Sequence, residues 1–229
     1  MGTSYSPNIV KDGLVFYVDP INPRSWTGPN SNTVNDLKST STGTIYNDTS
    51  GSYGDNSSFT FDGADSYIDL GNLTLLNGAT NASWGFWANV DTTPNQMPIS
   101  QWSDSSKIFY VYFNGANTLK VAMNGNQAFS TSFSFSTGVW NYFIITLDGG
   151  ASSPSNRVRG YVNGTELSNS TSGPTVLATA TSNFNIGRRE ASGGGFYFDG
   201  DISSFKIYNR TLSIQEVKQN YNALKRRFI

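Results

Sequence analysis

The chain has 229 residues, with 15 Lys and Arg against 16 Asp and Glu and a formal net charge of −1. It has no cysteine and no histidine. That excludes disulfides, thiolate or imidazole metal ligation, a histidine pH switch, and Ser-His-Asp or Cys-His catalysis.

Only 14% of residues are charged, against a usual share of roughly 25%. The even charge balance gives no electrostatic footprint for nucleic acid. Residues 1–7 lack a basic region followed by an apolar run, so no secretion signal is read there. No stretch is apolar for long enough to span a membrane. The length suits one domain over residues 1–229.

In chain order, strands are expected at 14–18, 59–62, 67–70, 83–90, 108–113, 119–123, 129–135, 140–147, 158–162, 184–186 and 196–208. The last has a break near Gly200. Pro20, Pro23 and Pro29 make residues 19–29 a loop. Residues 27–57 are polar, turn-rich and weakly periodic, and 149–156, 168–182 and 190–195 read as surface loops. In 83–90, apolar residues occupy both faces, as in a central strand. Phe109, Val111 and Phe113 alternate with Ile108, Tyr110 and Tyr112, leaving little polar face. Phe129, Phe133 and Phe135 lie among serines and threonines, the pattern of a half-exposed strand. In 140–147, Tyr142, Ile144 and Thr146 share one face, with Phe143, Ile145 and Leu147 on the other. The pairs Asn114-Gly115, Asn124-Gly125 and Asn163-Gly164 mark tight turns.

One helix is expected, at 213–228. Ser213 and Glu216 form a capping box. Ile214, Val217, Tyr221, Leu224 and Phe228 fall on one helical face. Lys225, Arg226 and Arg227 end the helix, where cations complement its dipole. The fold class is therefore all-β: a two-sheet antiparallel jelly-roll sandwich, six or seven strands per sheet, with one C-terminal helix.

Five segments support a family resemblance: FTFDGADSYIDLG at 59–71, SWGFW at 83–87, GVWNYFIITLDG at 138–149, VRGYVNGTE at 158–166 and NIGR at 185–188. With the closing strand and helix, this series resembles the laminin G-like jelly roll of the concanavalin A-like lectin/glucanase superfamily. GLVFYVDPINPRSW at 13–26 and NYNALKRRF at 220–228 resemble a subgroup common in tailed, especially marine, phages. The narrower resemblance implies a non-enzymatic virion structural protein: a capsid decoration, fibre or adhesion component on the virion surface. Its implied partners are other virion proteins, such as the major capsid protein, or a second copy of itself. The alternative is a carbohydrate-binding module that recognises host glycans at the cell exterior.

A third reading, glycoside hydrolase, is disfavoured by the residues. The glucanases carry paired carboxylates on one strand, and a retaining glycosidase needs two about 5 Å apart. The chain has three glutamates, Glu166, Glu190 and Glu216, and no strand carries two. Asp199 and Asp201 have the right interval but flank Gly200 at a break. The resemblance also implies calcium at the sheet rim, through Asp62, Asp65 and Asp199 or Asp201. Many relatives carry an acid at the position of Ser203, which weakens that expectation. Alternatively, Asp62 and Asp65 are turn residues bonded to their own backbone.

Sugar-binding candidates are Trp102, with Gln101 and Asp104 in a polar loop, and Trp26 in the proline-rich loop, because sugars stack on exposed aromatic faces. Trp84, Trp87 and Trp140 are assigned to the core. The glycines at 193–195 match no phosphate-binding loop. Asn47 and Asn169 begin Asn-x-Thr triplets that chance explains in so Asn- and Thr-rich a chain.

Overall fold

The computed structural model describes residues 7–39, 41–47, 58–92, 95–115, 118–168, 171–190 and 195–229. The glycines at 193 and 194, and parts of the Asn47 and Asn169 triplets, lie outside them. The strands are β1 (Leu14–Val18), β2 (Thr33–Asn35), β3 (Thr42–Tyr46), β4 (Phe59–Asp62), β5 (Tyr67–Asp69), β6 (Asn81–Val90), β7 (Gln96–Trp102), β8 (Lys107–Asn114) and β9 (Thr118–Met123). They continue as β10 (Asn126–Ser132), β11 (Trp140–Asp148), β12 (Val158–Val162), β13 (Thr165–Leu167), β14 (Phe184–Ile186), β15 (Arg188–Arg189), β16 (Phe196–Tyr197) and β17 (Asp199–Tyr208). Helix α1 (Ile214–Phe228) ends the chain.

A seven-stranded sheet runs β1-β17-β6-β11-β12-β13, with β4 also on β17. An eight-stranded sheet runs β10-β9-β8-β7-β14-β5-β3-β2, and β15–β16 forms a separate ribbon. All these pairings are antiparallel. The sandwich expected from the sequence is therefore the fold observed.

Aromatic rings join the two sheets. Trp84 stacks on Phe109 at 4.2 Å, Phe143 meets Phe113 at 5.0 Å, and Phe205 meets Phe184 at 5.2 Å. Each such ring buries roughly 150–250 Å², worth on the order of several kcal/mol of transfer free energy.

Several strand regions depart from the sequence reading: β13 and β15 are unexpected, and the closing strand breaks at Phe198 rather than near Gly200, which lies paired inside β17 between Asp199 and Asp201. β7 was hidden by Pro98, which cannot donate to a ladder. The register shifts between Gln96 and Ile99, so Pro98 sits at an irregularity that tolerates it. β2 and β3 lie inside the segment read as loop, because their short alternation is embedded in Thr, Asn and Gly. β10 ends at Ser132, short of Phe133 and Phe135, whose rings still pack on Phe143.

α1 is capped as its sequence dictates. The Ser213 hydroxyl accepts from the Glu216 N–H, and the Glu216 carboxylate accepts from the Ser213 N–H. Arg210 clamps the same carboxylate at 2.8 and 2.5 Å. The apolar stripe lies on the outer face of the seven-stranded sheet. Val217 and Phe228 are buried there with Trp87, Tyr142, Ile144, Tyr161 and Tyr208. Phe228 stacks on Trp87 at 4.4 Å and meets Trp140 at 4.7 Å. Buried Asn220 donates to the Tyr208 hydroxyl and accepts from the Val10 N–H. The closing cations are more than dipole partners. Arg227 turns inward to donate to Asp19 at 2.7 Å and to the Ser203 hydroxyl at 2.8 Å.

A bulge in β17 shapes this interface. Ser203 pairs with Trp87 and Lys206 with Gly85, so Ser204 and Phe205 together face Phe86. The extra residue resets the alternation, and Ile202 and Phe205, three apart, both enter the core. Ser204 adopts a φ of 52°, costly for a residue with a Cβ. Its carbonyl and hydroxyl accept hydrogen bonds from the fully buried Lys206 ammonium, at 3.0 and 2.5 Å. The Lys206 nitrogen also lies 4.8 Å from the Tyr17 ring centre.

Burial pushes Lys206 down to about 7; Asp19 opposes the shift and Arg227 adds to it. Tyr142, from β11, also faces the amine. The unfolded chain therefore holds a proton on this amine up to its ordinary pKa near 10.5, while the folded chain releases it above about 7. Stability must rise with pH across this window, by at most about 1.4 kcal/mol per unit. Above roughly pH 10 the phenols of Tyr17 and Tyr208, raised chiefly by burial, act in the opposite direction. No histidine titrates in between. Urea unfolding midpoints are therefore expected to climb from pH 7 to pH 9.5, and Lys206→Met is expected to flatten that slope and to stabilise most at pH 6.5.

Candidate functional site

With α1 on the seven-stranded sheet, the outer face of the eight-stranded sheet carries a cluster of aromatic side chains outside the core. Its composition follows from alternation. Ile99, Phe109, Val111, Phe113, Ile68 and Ile45 point into the core. Trp102, Tyr110, Tyr112, Tyr67 and Tyr46, displaced by one or three residues, point outward.

The β15–β16 ribbon crosses this face beside β7. After β14 the chain turns at Gly187, whose φ is 89° and whose added Cβ would lie 2.4 Å from the Phe61 ring. The Gly187 N–H donates to the Pro98 carbonyl, and the Ser100 hydroxyl donates to the Arg188 carbonyl, each at 2.8 Å. Neighbouring residues of a strand project oppositely, so Arg188 and Arg189 leave the ribbon on different sides. Arg188 lies 3.4 Å above the Tyr67 ring and donates to Asn185. Tyr67 stacks on Tyr46 at 4.7 Å, and Tyr46 is 41% exposed. Arg189 lies 4.7 Å above the Phe196 ring. Phe196, Tyr112, Tyr110 and Trp102 then form a row with successive ring separations of 5.7, 6.2 and 4.7 Å. Lys120 pairs with Tyr112 across the β8–β9 ladder.

The face is positively biased. The ion pairs among the described residues are Arg159–Glu166, Arg210–Asp12, Arg210–Glu216 and Arg227–Asp19, so neither ribbon arginine has a carboxylate partner there. The Arg189 Nε is shut off from water and meets no acceptor. Burial pushes the Tyr67 and Tyr110 phenols up, with Arg188 and Arg189 respectively opposing it. Both phenols therefore stay neutral at physiological pH and can donate hydrogen bonds. Flat apolar rings flanked by phenols and guanidinium forks suit a polyhydroxylated ring.

The sequence-derived sugar residues fall differently. Trp26 is fully buried against Phe59, its ring nitrogen donating to the Ser31 carbonyl, so it offers no face to a sugar. The proline-rich loop folds it into the core. Gln101 is buried and donates to Asn72, Leu73 and Ser182, tying loops together. Trp102 ends β7 rather than lying in a loop; at 7% exposure it meets Tyr110 edge-on at the end of the aromatic row and offers little free face to a sugar. Asp104 is exposed at a groove of about 440 Å³ lined also by Lys107, Asn124 and Thr181.

The acidic residues expected at the sheet rim are engaged mainly by backbone amides and hydroxyls. Asp62 Oδ1 accepts from the Ala64, Asp65 and Ser66 N–H groups and the Ser66 hydroxyl. Burial opposes its ionisation, but these bonds hold its carboxyl well below the usual range. This is the turn alternative considered for Asp62. Asp65 is exposed. Asp199 accepts from Thr92, and Asp201 from Ser58 and Thr60. Among the described residues no group of three or more acidic side chains could hold a metal ion.

The sequence reading missed Tyr46, Tyr67, Tyr110, Tyr112, Arg188, Arg189 and Phe196 as a group. The available signal was Tyr110 and Tyr112: phenols placed where a two-sided core strand would carry aliphatic side chains.

Residues 62–218, more than half the chain, match the Laminin_G_3 model, described as the concanavalin A-like lectin/glucanases superfamily. No curated protein matches the chain in sequence. Among solved structures, domain 4 of AbnA, an extracellular arabinanase from Geobacillus stearothermophilus in complex with arabinotriose, is similar at TM-score 0.65 and 18% identity, over 93% of this chain and 100% of that one. Trypanosoma rangeli sialidase in complex with sialic acid is similar at TM-score 0.66 and 14% identity, over 97% of this chain. This chain spans 36% of that sialidase. The binding domain of botulinum neurotoxin DC in complex with SialylT is similar at TM-score 0.64 and 13% identity, over 93% of this chain and 52% of that one. At these identities the likeness establishes the fold, and the matched family model establishes the kinship: the chain belongs to the Laminin_G_3 family of the concanavalin A-like lectin/glucanases superfamily.

Proposed function

We propose that the protein is a non-enzymatic glycan-binding module whose ligand lies along the outer face of the eight-stranded sheet. The observation that carries this reading is the aromatic row from Phe196 through Tyr112 and Tyr110, with phenol and guanidinium donors beside it. The complexes of AbnA domain 4 with arabinotriose and of the neurotoxin binding domain with SialylT support it by analogy. No metal or other cofactor enters the binding step.

The setting we propose is the surface of a tailed-phage virion, where residues 1–229 form one adhesion or decoration domain. Its partners there are other virion proteins or a second copy, with host glycans as the ligand. The two segments that resemble phage proteins, 13–26 and 220–228, pack together through Arg227 and Asp19.

Three outcomes are expected. On a glycan array, the wild type binds, and the Tyr110→Ala, Tyr112→Ala double variant loses at least about tenfold in affinity while remaining folded by circular dichroism at the assay temperature, since stacking contributes roughly 1 kcal/mol or more per ring. An array on which the wild type retains nothing overturns the glycan reading, and absence of the chain from purified virions by mass spectrometry overturns the setting. Finally, Asp62→Ala costs about 1 kcal/mol of stability, equally with calcium and with a chelator, if its carboxylate serves the turn alone.

A further inference from the structure

We infer that Arg189 selects a carboxylate-bearing sugar, so that the ligand of this face is an acidic glycan; this rests on the glycan-binding reading above. Arg189 is half-buried beside Phe196 and Tyr110, with no carboxylate partner among the described residues. Its Nε–H is hidden from water and makes no hydrogen bond. A cation in that condition has lost part of its hydration and gained no counter-charge. An incoming anion therefore stabilises it more than it would an arginine in open water.

The neighbourhood favours one sign of charge. Arg188 stands on the other side of the two-residue strand, and Lys120 pairs with Tyr112. The nearest outward-facing acid on β5, Asp69, already accepts from the Gly71 N–H and from Asn183. Glu190, next in sequence, is exposed and forms no ion pair among the described residues. With the Nε closed to solvent, a planar carboxylate would meet the guanidinium along its Nη1/Nη2 edge and receive two parallel charge-assisted bonds there. The sugar ring bearing it then has Tyr112 and Tyr110 alongside for stacking. Neutral sugars gain the stacking but leave the cation without a counter-charge.

The test uses matched ligands: sialyllactose and a galacturonate oligomer, the methyl ester of each, lactose, and a sulfated lactose, titrated by calorimetry at low and physiological salt. The wild type is expected to bind at least one acid about tenfold or more tightly than its ester, the equivalent of one charge-assisted contact. That margin should shrink with salt. Arg189→Gln should bring the acid down to the affinity of its ester while leaving the ester unchanged. Arg189→Lys, which keeps the charge and loses the fork, should fall between. Equal binding of acid and ester, a preference for the sulfated sugar, or a preference that survives Arg189→Gln would overturn the proposal while leaving glycan binding intact. Failure of every ligand, together with an empty glycan array, would instead remove the reading on which it rests. Circular dichroism melting of each variant separates lost binding from lost fold.

Discussion

The packing of α1 onto the seven-stranded sheet is the constraint on which the rest of the molecule depends. A β-sandwich has two outer faces, and an apolar outer face must be covered or used. Here Phe228, Val217 and Tyr221 cover the first, lying on Trp87, Tyr142 and Ile144. The central strands β6 and β11 are consequently apolar on both sides, which is why neither shows a polar face. No helix among the described residues covers the opposite sheet. Its outer side chains include Tyr67, Tyr110 and Tyr112, with Arg188 and Arg189 of the ribbon beside them, side chains that tolerate water at one end and packing at the other.

Covering the first face required burying charge. Arg227 and Asp19 form an ion pair with side-chain exposures of 10% and 6%, and Lys206 lies wholly beneath them. Such groups add little net stability, because desolvation offsets most of the attraction. What they do specify is position. The bulge at Ser204 must form for Lys206 to find its hydrogen-bond acceptors, and Arg227 must reach Asp19 and Ser203 for the last helical turn to close. The polar contacts thus fix the register between β1, β17 and α1, while the aromatic rings supply the area. Ser203 serves here as a hydrogen-bond partner for Arg227.

The open face is organised by a much smaller device. A glycine turn after β14 lifts two residues out of the sheet and lays them across β7. That crossing divides the aromatic surface into a Tyr46–Tyr67 part under Arg188 and a Phe196–Tyr112–Tyr110 part beside Arg189. The acidic turns at Asp62 and at Asp199–Asp201 belong elsewhere: their oxygens are taken by backbone amides and hydroxyls and hold the end of the β4–β17 pairing together.

Much of the architecture was legible in the residues. Period-two alternation located most strands, Asn-Gly pairs located the turns, and the Ser213–Glu216 spacing with its apolar stripe defined the helix, because these signals depend on neighbours a few positions apart. The jelly-roll class followed from them. β7 was not legible, since Pro98 contradicts a strand unless an irregularity accommodates it. Trp26 and Trp102 were misjudged for a related reason: a polar, proline-rich neighbourhood describes the backbone, whereas burial depends on what folds over the ring. Asp62 can be read either as a ligand or as a turn residue, and the structure shows the turn bonds from Ala64, Asp65 and Ser66. The binding face was the least legible feature. Tyr46, Tyr67, Tyr110, Arg189 and Phe196 are scattered over 151 positions, and only antiparallel pairing across β3, β5, β14, β7 and β8 brings them onto one surface. The sequence by itself determined the elements and the sandwich; tertiary structure decided which outer face was sealed and which was left for a ligand, because that choice depends on long-range packing that no local pattern encodes.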